Sequence, residues 1–399
     1  MIVLLIPAVV VLFFLLFPFL EVLLSRMVRP KTPERTDDFR SFGIIITAYR
    51  NWEISVPLVR SLLKQDYPGN FRVYLVADNC EPATFPVEDE RLTVIWPETP
   101  LNLKAKSIIH ATERFQHTYD HIVIFDADNL AAPDYLRWIN RYITLGYPAV
   151  QGQRTAKNLD TFYARADAAG EFYKNYTDRA LPFRLGSSSV ISGSGMSVER
   201  EAYLGYLNSP EIQDGQHLWK KMLQEDKILQ NHLLRQDLRI AYAPEAVVYD
   251  EKVSDGAAVE TQRSRWLYSY FQNMPNAIGL LRRGLTRLSF NQFWFGLVTI
   301  APPLFIQLLL AGVLGLLGLI FYLPVFLMML IGGIVFIGNI PLSLYLDNAP
   351  RSVQQVFWRL PAFAWRQLKA LAKIKDPNKN FKHTEHRKMV TLDDVERPA

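Results

Sequence analysis

Cysteine is almost absent: Cys80 is the only one in 399 residues. An internal disulfide framework is excluded. A lone thiol without a CxxC pair or a Cys/His cluster also argues against structural zinc and fits a reducing compartment. His110, His117 and His121 are too irregularly spaced to suggest a metal site. Glycine-rich phosphate loops are missing as well. Neither GxGxxG nor GxxxxGK occurs, which disfavours a dinucleotide oxidoreductase or a P-loop NTPase. The net charge of +5 is small, and the surplus Lys and Arg sit beside apolar segments. That distribution suits an anionic bilayer surface and a diphosphate ligand, and it argues against a nucleic-acid partner.

Charge itself is missing from two long stretches. Residues 1–20 carry none, and Glu21 is the first charged side chain, followed by Arg26, Arg29, Lys31 and Arg35. A cleaved signal peptide needs basic residues before its apolar run and small residues at its end; neither is present. The segment 1–25 is therefore expected to be an uncleaved anchor whose C-terminal end faces the cytoplasm. From Leu288 to Leu346 there is again no Asp, Glu, Lys, Arg or His. A crossing takes about 20 residues, so 288–346 is expected to hold two transmembrane helices. The turn is expected near Tyr322-Leu-Pro324, with a kink at Pro302-Pro303. Arg282, Arg283 and Arg287 precede this run and Arg351 and Arg359 follow it. By the positive-inside rule both flanks are cytoplasmic. In 350–399, Val353, Val356, Phe357, Leu360, Ala364, Leu368, Leu371 and Ile374 recur at helical spacing. Arg359, Arg366, Lys369 and Lys373 fall mostly on another face, the pattern of an interfacial amphipathic helix before a cytoplasmic tail.

Between these segments, 40–287 reads as an α/β domain. Gly43-Ile-Ile-Ile-Thr47, Val73-Tyr-Leu-Val-Ala77, Thr93-Val-Ile-Trp96 and Ile122-Val-Ile-Phe125 have the composition of buried parallel strands. Helical patterns at Val56 to Lys64 and Lys104 to Arg114 lie between them. A parallel sheet binds ligands at the carboxyl ends of its strands, where Thr47, Asp78, Asp126 and Asp128 stand. Two carboxylates spaced i, i+2 after an apolar strand can converge on one divalent cation. Such hard oxygen donors suit Mg2+ or Mn2+, held jointly by a diphosphate.

These residues resemble the membrane-bound branch of family 2 glycosyltransferases, which includes cellulose, hyaluronan and poly-N-acetylglucosamine synthases. The likeness runs in order from residue 40 to 290. It comprises Ile44-Ile-Ile-Thr-Ala-Tyr-Arg-Asn51, Ser61-Leu-Leu-Lys-Gln-Asp-Tyr-Pro68, Val76-Ala-Asp78, Lys104-Ala105, Phe125-Asp-Ala-Asp128 with its DxD metal motif, Gln224-Glu-Asp226, and a complete QxxRW at Gln262-Arg-Ser-Arg-Trp266. The resemblance implies a GT-A fold, Rossmann-like with a mostly parallel sheet, and inverting, metal-dependent transfer from a nucleotide-sugar donor. Within that scheme Asp226 is the catalytic base, and Asp126 and Asp128 hold the metal. Thr47, Asp78, Lys104, Asp126, Gln262 and Arg265 bind the donor. Trp266 and the loop Gly193-Ser194-Gly195 face the acceptor. Thr384 and His386 are expected to fold over the donor as a gating segment.

The sequence departs from the synthases in three places. Gln224 replaces a Thr, Phe381-Lys-His-Thr384 stands where related enzymes carry Trp-x-x-Thr, and only two crossings follow the catalytic segment. A self-contained polymer channel is therefore not implied, which leaves room for a partner subunit in export. The expected product is a growing polysaccharide at the plasma or inner membrane, from UDP-glucose or UDP-N-acetylglucosamine. The alternative is transfer of one sugar to a lipid or lipid-linked acceptor. A sugar-phosphate nucleotidyltransferase would need a Gly-rich basic motif near its N-terminus. A non-catalytic sensor of nucleotide sugars would be expected to have lost the four acidic positions, all of which are present.

Overall fold

The computed structural model describes residues 2–29, 32–218, 224–361, 363–364 and 388–395. Its centre is an eight-stranded sheet in the order β3-β2-β1-β4-β7-β6-β8-β5. The strands are β1 (Phe42–Tyr49), β2 (Phe71–Asp78), β3 (Leu92–Ile95), β4 (His121–Asp126), β5 (Leu130–Ala131), β6 (Ala149–Ala156), β7 (Met196–Glu199) and β8 (Ile240–Asp250). The four strands expected from apolar runs form one parallel half, with β1 between β2 and β4. The other half is mixed: β7 is antiparallel to β4 and β6, β6 and β8 are parallel, and β5 is antiparallel to β8.

Helices cover both faces of the parallel half, which is why β1, β2 and β4 are apolar and buried along most of their length, while the edge strand β3 is mostly half-buried. In chain order the helices up to β8 are α1 (Ile2–Ser25), which packs away from the sheet, α2 (Val56–Leu63), α3 (Lys104–Thr112), α4 (Tyr135–Thr144), α5 (Phe162–Lys174), α6 (Leu181–Arg184), α7 (Arg200–Leu207), α8 (Pro210–Leu218) and α9 (Glu225–Arg235). Side chains alternate across the sheet with period two. Ile45, Tyr74, Ile122 and Ile124 pack toward α3, α7 and α9, whereas Ile44, Ile46, Val73 and Phe125 pack toward α2 and α4.

After β8 come α10 (Gly256–Arg287), α11 (Phe290–Ile300), α12 (Leu304–Phe321), α13 (Leu323–Leu346) and the short α14 (Arg351–Gln354). Asp255 caps α10 by accepting from the Ala257 and Ala258 amides, each at 2.9 Å. The charge-free run is not simply two crossings. Pro302 and Pro303 break it rather than kink it: Ala301 is extended, with ψ 126°, and α11 ends before it. The residue before a proline is pushed out of the α region, and proline has no amide to continue the ladder. Phe290–Ile300 therefore folds against α10 and the core, where Phe295 and Val298 are buried. Contact is close, because a Cβ on Gly284 would lie 2.3 Å from the Phe293 nitrogen and one on Gly296 2.7 Å from the Leu281 nitrogen.

Three helices are long and apolar enough to cross a membrane: Val3–Ser25, Leu304–Phe321 and Leu323–Leu346. Tyr322 forms the joint between the last two. The three pack through Ala8, Leu15, Ala311, Leu314, Met329 and Phe336. Glycine permits this at Gly332, where a Cβ would come within 2.7 Å of Leu12 Cδ1. Small residues at helix contacts have this effect wherever lipid supplies no hydrophobic drive. Of the amphipathic segment, Val353 and Val356 are buried against the α5 region and Trp358 is 85% exposed. Arg366, Leu368, Lys369, Leu371, Lys373 and Ile374, with Phe381-Lys-His-Thr384 and His386, lie outside the described residues.

Gly284→Val forces the α10–α11 contact apart and is expected to destabilise the protein by about 1–3 kcal/mol. The readout is the thermal unfolding midpoint in detergent. An unchanged midpoint would mean that α11 does not rest on α10.

Candidate functional site

The carboxyl ends of β1, β2 and β4 open into a cavity of about 1880 Å³. The chain turns sharply there. Arg50, Asn79 and Asn102 all take positive φ, at 63°, 54° and 58°. Non-glycine residues adopt that conformation rarely, and such positions concentrate at functional sites. Asp78 organises two of these turns. Its carboxylate accepts from the Leu101 and Asn102 amides, both at 2.7 Å, and its carbonyl accepts from the Arg50 amide at 3.0 Å. Both Asp78 carboxylate oxygens are thus engaged by the loop that leads into α3, although the residue still borders the cavity with Thr47.

Lys104, the first residue of α3, reaches across the site. Its Nζ lies 2.6 Å from Asp126 Oδ1 and 2.7 Å from the Gly193 carbonyl, with Glu225 Oε1 at 3.9 Å. Burial alone would lower the Lys104 pKa. The Asp126, Glu225 and Asp226 carboxylates outweigh burial and raise it, so the ammonium stays charged. Glu225 is pushed up to about 7, first by burial and then by Asp226, against the opposing pull of Lys104.

Asp126 and Asp128 differ in setting. The Asp126 side chain is 38% exposed. Asp128 is buried, and its Oδ2 accepts from the Glu251 amide at 3.2 Å. Among the described residues no group of three or more His, Cys, Asp or Glu converges as a metal site. The donors present nonetheless suit a hard cation. Magnesium commonly takes one or two carboxylates and completes its shell with water and substrate phosphate oxygens, and Asp126 and Asp128 both border the cavity, with Asp126 Oδ1 held by Lys104.

Asp226 lies in the first turn of α9, which starts directly after the non-helical Gln224. An acidic residue in the first turn is favoured by the helix dipole. Gly193, at φ +81°, lets the adjoining loop lie against it; a Cβ there would sit 3.4 Å from Asp226 Cβ. Of the expected acceptor loop, Ser192 and Gly193 border the cavity. Ser194 and Gly195 are turned into the fold instead. Ser194 is fully buried with its hydroxyl on Asn129 Oδ1, and the Gly195 amide donates to the Ile124 carbonyl at 2.8 Å. Gln224 precedes α9, and its side-chain oxygen accepts from Asn273 Nδ2 of α10.

Gln262, Arg265 and Trp266 lie on α10 and border the same cavity. Burial lowers the Arg265 pKa. Arg263 is turned onto Asp167 and lies 4.4 Å from the Trp266 ring centroid, while Lys174 Nζ lies 5.3 Å from that ring. The fold therefore brings Thr47, Asp78, Lys104, Asp126, Asp128, Gly193, Asp226, Gln262, Arg265 and Trp266 to one cavity.

Sequence reasoning missed a buried ionic floor. Glu171 Oε1 accepts from Arg179 Nη1 at 2.9 Å, with Lys252 Nζ 3.7 Å from Oε2. Asp250 binds Lys252 Nζ at 2.7 Å and also Arg154. Burial alone would raise the Glu171 pKa, but Lys252, Arg179 and Arg154 hold it well below the ordinary range. The available signal was charge inside strands, Arg154 in β6 and Asp250 at the end of β8.

Residues 40–269 match the family described as "Glycosyltransferase like family 2". An N-acetylglucosaminyltransferase of Sinorhizobium fredii is 28% identical over 233 residues, 55% of this chain and 55% of that protein. An N-acetylglucosaminyltransferase of Rhizobium leguminosarum biovar viciae is 25% identical over 265 residues, 63% of this chain and 61% of that protein. The chain thus spans less than two thirds of the length of either relative. Among solved structures, the Pyrobaculum calidifontis mannosyltransferase PcManGT, in complex with GDP-Man and Mn2+, matches with a TM-score of 0.55 at 16% identity. That match covers 93% of this chain and 98% of PcManGT. The likeness is one of fold, and the fold is the GT-A-like arrangement expected from the sequence.

The state of Glu225 has a measurable consequence. Below its ordinary value of 4.5 the carboxyl is protonated in both folded and unfolded chains. From there to about 7 only the unfolded chain ionises it, so stability falls as pH rises and then levels off. Denaturant titrations at pH 5 and pH 8 are expected to show a larger loss for the native protein than for Glu225→Gln. The difference should be on the order of 1–3 kcal/mol, and equal losses would contradict the assignment.

Proposed function

The chain belongs to glycosyltransferase-like family 2, and on that premise we propose that it is an inverting transferase acting from a UDP-sugar donor at the membrane. UDP-N-acetylglucosamine is the preferred donor in this reading, because the curated relatives carry that activity in their names. UDP-glucose is the second choice. The supporting observation is the cavity that Asp126, Asp226 and the Gln262–Trp266 turn of α10 share.

In this mechanism the acceptor hydroxyl oxygen attacks the anomeric carbon from the side opposite the diphosphate. The bond from that carbon to the diphosphate oxygen breaks, its electron pair leaves with the nucleoside diphosphate, and the configuration inverts. The hydroxyl proton passes to the Asp226 carboxylate. Gln262 and Arg265 hold the diphosphate, Arg because its planar fork matches phosphate oxygens. Trp266 offers a flat face to the acceptor. Thr47 and the loop tied down by Asp78 border the nucleoside end. Lys104 orients Asp126 and the Gly193 carbonyl. Asp126 and Asp128 would hold Mg2+ or Mn2+, which supplies positive charge to the departing diphosphate.

The catalytic domain is assigned to the cytoplasmic side, as the basic residues Arg282, Arg283, Arg287, Arg351 and Arg359 flank the apolar run. The domain division at 40–287, with anchor, hairpin and interface segment around it, belongs to the same proposal.

The full chain in nanodiscs, given radiolabelled UDP-N-acetylglucosamine and membrane lipid extract, is expected to transfer label. Asp226→Asn should lower the rate about a hundred- to ten-thousand-fold while UDP still binds. Chelation should abolish transfer and added Mn2+ or Mg2+ restore it. Undiminished transfer by the variant would overturn the base assignment, and chelator-resistant transfer would overturn the metal assignment.

A further inference from the structure

The cavity is larger than a single ligand requires. Single ligand sites are typically about 300–1,000 Å³, against about 1880 Å³ here. Its lining includes an apolar set from the long apolar helices: Phe17 of α1, Leu304 and Leu308 of α12, and Ile337 and Ile340 of α13, with Gln307 among them. On α13 the lining residues Ile337 and Ile340 lie nine and six residues before its end at Leu346. The helices that wall this chamber are the three long enough to cross a membrane.

Lys174 stands at the junction between this chamber and the catalytic end. It is the last residue of α5, where the chain enters the π-helical turn Asn175–Ala180. Turns of that kind are frequent at functional sites. Its ammonium faces the Trp266 ring and borders the cavity. Arg263, on the same ring, is neutralised by Asp167. Among the described residues the contact recorded for the Lys174 ammonium is the Trp266 ring, with the Asp178 and Glu171 carboxylates acting on it from farther off. Burial lowers its pKa to about 8, with Asp178 opposing and Arg263 assisting. An arriving anion would stabilise its charged form.

We propose that this junction binds a phosphorylated lipid carrier, with the phosphate head on Lys174 beside Trp266 and the hydrocarbon chain in the chamber. The proposal rests on the transferase reading and adds the chemical class of its acceptor. A neutral sugar chain would find no use for a cation at this junction or for apolar walls. A phosphate with a hydrocarbon tail matches both. Because the chamber is continuous with Asp126 and Asp226, its occupant presents its head group to the donor, as an acceptor carrier must and a bulk glycerophospholipid need not.

Equilibrium binding of radiolabelled farnesyl phosphate to the full chain in detergent tests this, with UDP binding measured separately. The native protein should bind farnesyl phosphate saturably, and at least roughly tenfold more tightly than farnesol, inorganic phosphate or phosphatidic acid. Lys174→Gln should weaken farnesyl phosphate binding by a similar factor, and Lys174→Arg should retain it. UDP should bind native and Lys174→Gln proteins alike, which also shows that the variant folds. Undiminished binding by Lys174→Gln overturns the proposal, as does farnesol or phosphatidic acid binding as tightly as farnesyl phosphate. Failure of the native protein to bind UDP counts against the transferase reading instead and leaves the farnesyl phosphate comparison to decide the lipid site.

Discussion

One ammonium group holds the strand-end side of the cavity together. Lys104 Nζ bridges Asp126 at the end of β4 and the Gly193 carbonyl, with Glu225 of α9 beyond. Those groups come from three segments far apart in sequence, and each would repel or leave an unmet acceptor without the cation between them. Asp78 performs the matching task from the other side, fixing the loop from which α3 starts. Removing either would leave buried charge or backbone groups uncompensated, which costs more than the original contact contributed. The turns at Arg50, Asn79 and Asn102 persist because these bonds over-determine them.

The second constraint is the seating of this centre on the membrane helices. The 32-residue α10 carries Gln262, Arg265 and Trp266 to the cavity, and α11 rests on it through contacts that only glycine allows. Trp294 of α11 donates to Glu21 of α1 at 2.8 Å, so the N-terminal helix is tied to the same platform. At the floor, the pairs among Arg154, Glu171, Arg179, Asp250 and Lys252 join α5 to β6 and β8. Buried charges are tolerated when each is paired. Their geometry holds the cavity open with polar walls at one end, while the membrane helices supply apolar walls at the other.

Much of this was legible in the sequence because period and composition report burial directly. The four apolar runs became β1 to β4, since strands covered on both faces are mainly apolar, although the edge strand β3 is only half-buried. The mixed half escaped notice for the same reason. β6 reads Ala-Val-Gln-Gly-Gln-Arg-Thr-Ala, and its polar residues serve the loop beside Asp226 and the ionic floor. β8 contains Pro244 and a register shift opposite Gly152/Gln153. The charge-free run was visible, but its division was not: whether two prolines kink or end a helix depends on what the preceding turn can pack against. Here α10 and the core offered α11 a better surface.

The sequence by itself determined the parallel half of the sheet, the apolar segments, the family, and which acidic and basic residues belong to the motifs. Those properties follow from short-range periodicity and from residue chemistry that needs particular side chains. Only the tertiary structure decided how each motif residue is used. It turned Ser194 and Gly195 inward, spent both Asp78 oxygens on a loop, and placed Lys104 on Asp126. It also put Lys174 at the mouth of an apolar chamber that no local pattern announces. These are contacts between segments tens to hundreds of residues apart. Their energies depend on desolvation and on the sum of neighbouring charges, and neither exists until the chain has folded.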